Sequence, residues 1–161
     1  MQFRPGPIEG VEIIPLERHS DERGWLAELY RSDEVNGNLA PAMGYISITK
    51  PGVSRGPHEH TDQSDRFCFA GPGKFEVRLW DNRSDSPTYL NRQTIAVGED
   101  NPSVITIPPG VVHGYRNIGD GEAMVINLPN RLYAGVGKNE AVDEIRHESN
   151  DGSPFNMDDA Q

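Results

Sequence analysis

A chain of 161 residues suits one domain around one core, and 17 glycines and 13 prolines against 35% hydrophobic residues favour short strands and turns over long helices. The net charge of −10 excludes the diffuse attraction that nucleic acid or an anionic membrane needs, although a local arginine cluster can still hold a small anion. One cysteine, Cys68, excludes an internal disulfide; with no signal-like N-terminus and no apolar run of spanning length, a soluble cytoplasmic protein is expected.

In chain order, "VEIIPL" and "LAELY" read as the first short strands. "GYISITK" alternates with period two, setting Tyr45, Ser47 and Thr49 on one face and Ile46 and Ile48 on the other. "KFEVRLWD" turns Phe75, Val77 and Leu79 inward and Lys74, Glu76 and Arg78 outward, and "RQTIAV", "SVITI" and "AMVINL" follow as further strands. The turn signals "KPG", "GPG", "DNRSDSP", "GED", "PPG" and "GDG" separate them, a spacing that suits a sandwich or barrel. "KNEAVDEIRHE" reads as one short helix with Ala141, Val142 and Ile145 on a common side. The segment from about Asn150 reads as a surface arm or a frayed end, and the acidic "NMDDAQ" as solvated. No repeat or linker interrupts the chain, so residues 1–161 are expected to form one domain, with a core over about 11–135 and an arm over 136–161.

Chemistry concentrates in two stretches. In "GVSRGPHEHTDQSDRF", His58 and His60 lie at i and i+2, so a strand points both to one face, with Asp65 shortly after. In "PPGVVHGYRN", Pro108, Gly110, His113 and Asn117 recur at a fixed spacing. Together these resemble the paired motifs of the cupin superfamily, an antiparallel double-sheet jelly-roll barrel, with Asp65 standing where glutamate is usual. The resemblance implies that His58, His60, Asp65 and His113 share a cavity. Three imidazoles and a carboxylate suit Fe, Mn, Ni or Zn with positions left open; the other reading is a hydrogen-bonded cluster without metal.

Four stretches in order, "DERGWLAELYR", "GVSRGPH", "DNRSDSPTY" and "IPPGVVHGY", carry a closer likeness. From about Val11 to Tyr133 the chain resembles the dTDP-4-dehydrorhamnose 3,5-epimerase family, and in particular its shorter members with H-x-H. The resemblance implies proton removal next to the C4 ketone of a nucleotide-linked sugar and return of a proton from the opposite face. It makes His58 the base and Arg66 the cation that steadies the enolate oxygen, in place of a lysine. Arg23 and Arg55 match phosphate- and nucleotide-binding arginines, Glu28 matches an acid near the base-binding region, and His60, His113 and Tyr133 would line the sugar site. It further implies a homodimer working in carbohydrate metabolism such as dTDP-rhamnose biosynthesis, with no cofactor. The alternative is one divalent transition metal in a dioxygenase or metal isomerase.

The likeness has two departures. The family's general-acid tyrosine is expected in the strand after His113, where "AMVINLP" offers Ile126 or Asn127, leaving Tyr45 or Tyr115 as substitutes. The aspartate that orients the catalytic histidine comes from a C-terminal region that this sequence does not match. Both favour epimerisation at one carbon or a related reaction over a full double epimerase. A sugar 3,4-ketoisomerase or a non-catalytic sugar-binding cupin are the competing readings. Several of these residues also suit plainer roles. Arg55 can pair with a nearby acid, Arg23 with Glu28, Trp25 and Trp80 can pack, Asp81 and Arg83 can brace a turn, and Cys68 can be a core thiol.

Overall fold

Alternating side chains pack two β-sheets face to face in the computed structural model, which describes residues 1–158. The strands are β1 (Arg4–Pro5), β2 (Glu12–Pro15), β3 (His19–Asp21), β4 (Gly24–Leu26), β5 (Tyr45–Thr49), β6 (Ser54–Glu59) and β7 (Asp65–Phe69). They continue with β8 (Lys74–Asp81), β9 (Asn91–Gly98), β10 (Ser103–Ile107), β11 (Val111–Asn117), β12 (Ala123–Asn127) and β13 (Ile145–Arg146). One sheet runs β1-β9-β8-β11-β6-β13 and the other β2-β10-β7-β12-β5, while β3 and β4 form a separate ribbon. The ladders are antiparallel except for β1 with β9. The architecture is the all-β, cupin-type jelly roll that the resemblance of the paired motifs implied, within the sandwich or barrel that the turn-punctuated patterning suggested. No helix among the described residues is long and apolar enough to cross a membrane.

The core follows from period two. Phe75, Val77 and Leu79 of β8 meet Phe67 and Phe69 of β7 and Ile105 and Ile107 of β10, all at most 2% exposed. Each such side chain contributes about 1.5–3 kcal/mol by leaving water. Tyr115 stands edge-on to Phe75 at 5.4 Å and joins this core through its ring, keeping its hydroxyl for the cavity beyond.

Three expectations are corrected. Only Gly24–Leu26 pairs, with His19–Asp21, so the "LAELY" strand stops at Leu26. The helix over "KNEAVDEIRHE" does not form. Gly137 and Lys138 adopt positive φ, and Ile145–Arg146 adds instead to the open edge of β6, where the His147 and Glu148 N–H groups both donate to the Pro57 carbonyl. A free strand edge satisfies that backbone at least as well as an isolated helical turn, and the short apolar pattern does not distinguish the two. Nor is the arm wholly solvated: Phe155 and Met157 bury against Trp80 and Val112 on the outer face of the first sheet. Of the acidic "NMDDAQ", Met157 is buried, Asp158 pairs with Arg116, and residues 159–161 lie outside those described.

Candidate active site

The site starts at the β6–β11 ladder, where His58 is the direct partner of His113. Gly56 lets these strands approach. It sits at φ +75, and a Cβ there would fall 2.6 Å from the His113 carbonyl oxygen. Two residues on, His58 and then His60 turn to the inner face. They open on a cavity of about 1330 Å³, above the roughly 300–1,000 Å³ of most small-molecule pockets and roomy enough for a nucleotide sugar. Arg55, Tyr45, Tyr115 and Tyr133 also line it.

Asp65 lies beneath the two histidines at 1% exposure. Its Oδ1 accepts hydrogen bonds from the Gln63 amide at 2.9 Å and the Asn127 amide at 2.8 Å. Its Oδ2 lies 3.1 Å from His60 Nε2 and 3.1 Å from His113 Nε2. His113 Nδ1 donates to the Val111 carbonyl at 3.0 Å, and His60 Nδ1 donates to the Asp143 carbonyl. Burial alone would raise the Asp65 pKa, but His113 and His60 outweigh it and hold the carboxyl well below its usual range. Burial likewise works to lower the His60 pKa, and the Asp65 carboxylate reverses that. The His58 ring touches His113 edge-on at 4.4 Å and has no hydrogen-bond partner among the described residues. Burial first, then the neighbouring His113 and His60, hold it down at about 2, so it is neutral across the physiological range.

Both candidate tyrosines line the cavity, Tyr115 buried and Tyr45 at its mouth, 43% exposed. Burial pushes the Tyr45 phenol up to about 12 and raises that of Tyr115 as well. The Asn127 amide donates to the Tyr45 hydroxyl at 3.1 Å, while the Tyr115 hydroxyl shares a 3.0 Å bond with Ser47. Arg55 donates to Thr49 and to the Ile48 carbonyl, and no carboxylate among the described residues pairs with it. The plainer reading, in which Arg55 pairs with a nearby acid, is therefore not found, and Arg55 lines the cavity. Tyr133 sits at the rim, 54% exposed.

Other expected site residues lie elsewhere. Arg66 turns to the opposite face of β7, where it donates to the Leu29 carbonyl and Thr106, because Asp65, Phe67 and Phe69 take the inner face and parity sends residue 66 outward. It does not reach the cavity as the enolate's cation. Arg23 is exposed on the β3–β4 ribbon and pairs with Asp21, while Glu28 pairs with Arg31 rather than with Arg23; neither lines this chain's cavity. Trp25 is half-exposed with Arg18 stacked on it, Trp80 is core, Cys68 is a buried thiol, and Asp81 with Arg83 braces the turn after β8.

Some contributors were not foreseen from the sequence. Gln63 and Asn127 hold Asp65, and Asp143 accepts at its carboxylate from the backbone of Thr61, Asp62 and Gln63 while its carbonyl fixes His60. A polar residue at an inward strand position, as with Asn127 two after buried Val125, is the signal that marks one of them. Asp143, 83 residues from its partner, carries none.

Residues 5–142 match a family described as dTDP-4-dehydrorhamnose 3,5-epimerase. A probable low-salt glycan biosynthesis epimerase, Agl13, of Haloferax volcanii is 41% identical over 127 residues, covering 78% of this chain and 81% of its own. The spore coat polysaccharide biosynthesis protein SpsL of Bacillus subtilis is 41% identical over 128 residues, covering 78% and 82%. The crystal structure of a dTDP sugar isomerase from Desulfovibrio desulfuricans superposes with a TM-score of 0.83 at 24% identity, covering 96% of this chain and 94% of that one, a likeness of fold.

Proposed function

The chain belongs to the dTDP-4-dehydrorhamnose 3,5-epimerase family, and from that premise we propose that it epimerises a nucleotide-linked 4-keto-6-deoxy sugar, at one carbon rather than two. The observation that carries this reading is His58, an unpartnered neutral imidazole opening on a large cavity beside the uncompensated charge of Arg55. Arg55 holds the diphosphate by charge-assisted hydrogen bonds. His58 removes the proton next to the C4 ketone. A ring held so low is a weak base by itself; the anionic diphosphate and the growing enolate raise its proton affinity when substrate is seated. Tyr45 returns a proton from the other side. Because Asn127 donates to its oxygen, the phenolic hydrogen is left for the substrate, and burial keeps it on the ring until carbanion character develops.

In this reading the protein is a homodimer. Ile46 and Ile48 leave apolar surface on the outer face of the second sheet for a second copy to cover, and the exposed β3–β4 ribbon brings Arg23, and the segment just after it Glu28, to the partner's cavity. Incubation with a dTDP-4-keto-6-deoxy sugar in deuterium oxide is expected to place deuterium next to the ketone. His58→Ala should slow exchange by about 10²–10⁴-fold with an unchanged circular dichroism spectrum. No exchange by the wild type, or full exchange by the variant, defeats the proposal.

A further inference from the structure

The segment that ends in β13 brings a cation to the wall that carries the base. Arg146 is the register partner of His58 across the β6–β13 ladder. Residues directly opposite in an antiparallel pair send their side chains to the same face, with Cβ atoms about 4.5–5.5 Å apart. Alternation along the segment agrees. Glu144, Arg146 and Glu148 line the cavity, whereas Ile145 and His147 do not, and His147 pairs with Glu59, which also turns away. The electrostatics record the same proximity. Burial leads the causes that depress the His58 ring, His113 and His60 follow, and the charge of Arg146 adds to them. Burial likewise leads the causes that raise the Tyr45 phenol, and the Glu144 carboxylate adds to those. Availability separates Arg146 from the other arginines of the cavity. Arg131 is tied to Asp62 through Nε and Nη2 and to the Asn130 carbonyl through Nη1. Arg55 is tied to Thr49 through Nε and to the Ile48 carbonyl through Nη2. Arg146 uses Nε alone, donating to Glu144 at 2.7 Å, so both of its terminal nitrogens lack a partner among the described residues. Glu144 is the more buried member of the pair, 19% exposed against 61%, so it anchors a fork that stays accessible from the cavity.

We propose that Arg146 is the cation that receives the C4 oxygen of the sugar as it becomes an enolate, with Glu144 as the residue that positions it. This assignment rests on the epimerase reading. Arg66, turned to the outer face of β7, leaves that role to another side chain. A cation beside the base suits the chemistry, because the ketone carbon is bonded to the carbon that His58 deprotonates. When that C–H bond breaks, the proton goes to His58, the bond pair becomes the C=C bond, and the carbonyl π pair moves onto the C4 oxygen. The Arg146 hydrogens stay on nitrogen and hold that oxygen by charge-assisted hydrogen bonds. Tyr45 then delivers a proton to carbon and the enolate returns to a ketone. The imidazolium and tyrosinate left behind reset by exchange with water.

The test measures kcat and KM for deuterium exchange from solvent into a dTDP-4-keto-6-deoxy sugar, and the affinity for dTDP alone by calorimetry. Arg146→Ala should lower kcat by about 10²–10³-fold, as loss of an oxyanion donor does, with KM and dTDP affinity within about threefold of wild type. In case that variant fails to fold, Arg146→Gln keeps a long polar stem and gives the same readout. Arg146→Lys should retain at least about tenfold more activity than Arg146→Gln, since it keeps the charge and loses the fork. Glu144→Gln should cost about tenfold, again in kcat rather than KM. Wild-type kcat in Arg146→Ala or Glu144→Gln overturns the proposal, as does Arg146→Lys no better than Arg146→Gln. A raised KM or weakened dTDP binding with kcat unchanged also overturns it, by placing Arg146 at the diphosphate. Failure of the wild type to exchange defeats the epimerase reading and this assignment together, whereas exchange by the wild type with an unimpaired Arg146→Ala defeats the assignment alone.

Discussion

Asp81 and Asp65 are equally shut off from water, at 0% and 1% exposure, yet their surroundings differ in kind. Asp81 accepts from Arg83 Nε at 2.8 Å, the Arg83 backbone at 3.1 Å, Arg83 Nη2 at 2.9 Å, and the Ser86 and Thr88 hydroxyls at 2.6 Å each. All these partners are donors, and all come from the turn that Asp81 closes. Asp65 has amide donors on one oxygen, while the other lies 3.1 Å from two imidazole nitrogens and closes no aligned hydrogen bond. A buried charge with every lone pair answered by a donor fastens a loop. One answered only in part on its second oxygen costs stability.

The same substitution at both positions is the strongest way to break that contrast. Asp81→Asn turns an amide donor toward Arg83, Ser86 and Thr88, and should lower the unfolding free energy by about 3 kcal/mol in urea titration. Acid gives a milder form of this loss. Burial alone would raise the Asp81 pKa, but the bonds from Arg83, Ser86 and Thr88 win and bring it from 3.8 to about 2. A depressed carboxyl stabilises the fold above its unfolded value. Wild-type stability should therefore fall as pH drops from 3.8 to about 2, and Asp81→Asn should lose less across that window.

Asp65→Asn should act in the same direction but more weakly, by about 1–2 kcal/mol, because its carbonyl keeps the Gln63 and Asn127 bonds while the charge that favours protonated His60 is lost. An Asp65→Asn variant more stable than the wild type would mean that both Nε2 atoms present lone pairs to the carboxylate. The smallest effect belongs to Arg23, whose pair with Asp21 is at the surface. Arg23→Ala should change stability by less than about 1 kcal/mol while raising KM with kcat unchanged, the outcome that its proposed role at a partner's cavity requires.

The legibility of the sequence tracked the range of the interactions involved. β8 could be read because alternation and its flanking turns are local, and the inward pair His58 and His60 because i and i+2 share a strand face. β5 gave its alternation but not its sense: Tyr45 and Ser47 face the cavity, Thr49 is buried on their side, and Ile46 and Ile48 face out, since a polar cavity reverses the usual preference. Arg66 was placed by its match to a family lysine, and "DRFCF", buried on both faces, offers no alternation that would have shown it turned outward. The segment around Asp143 became a strap because β6 offered a free edge, which the short apolar pattern does not record.

That strap has a consequence for the order in which the chain becomes competent. His58 and Glu59 acquire their outer neighbours from Arg146 and Ile145, and the ring of His60 is aimed by a peptide group 83 positions downstream. A nascent chain lacking that stretch can close much of its barrel with one histidine still unaimed. The cavity wall therefore matures after the barrel, once a segment far along the chain has docked.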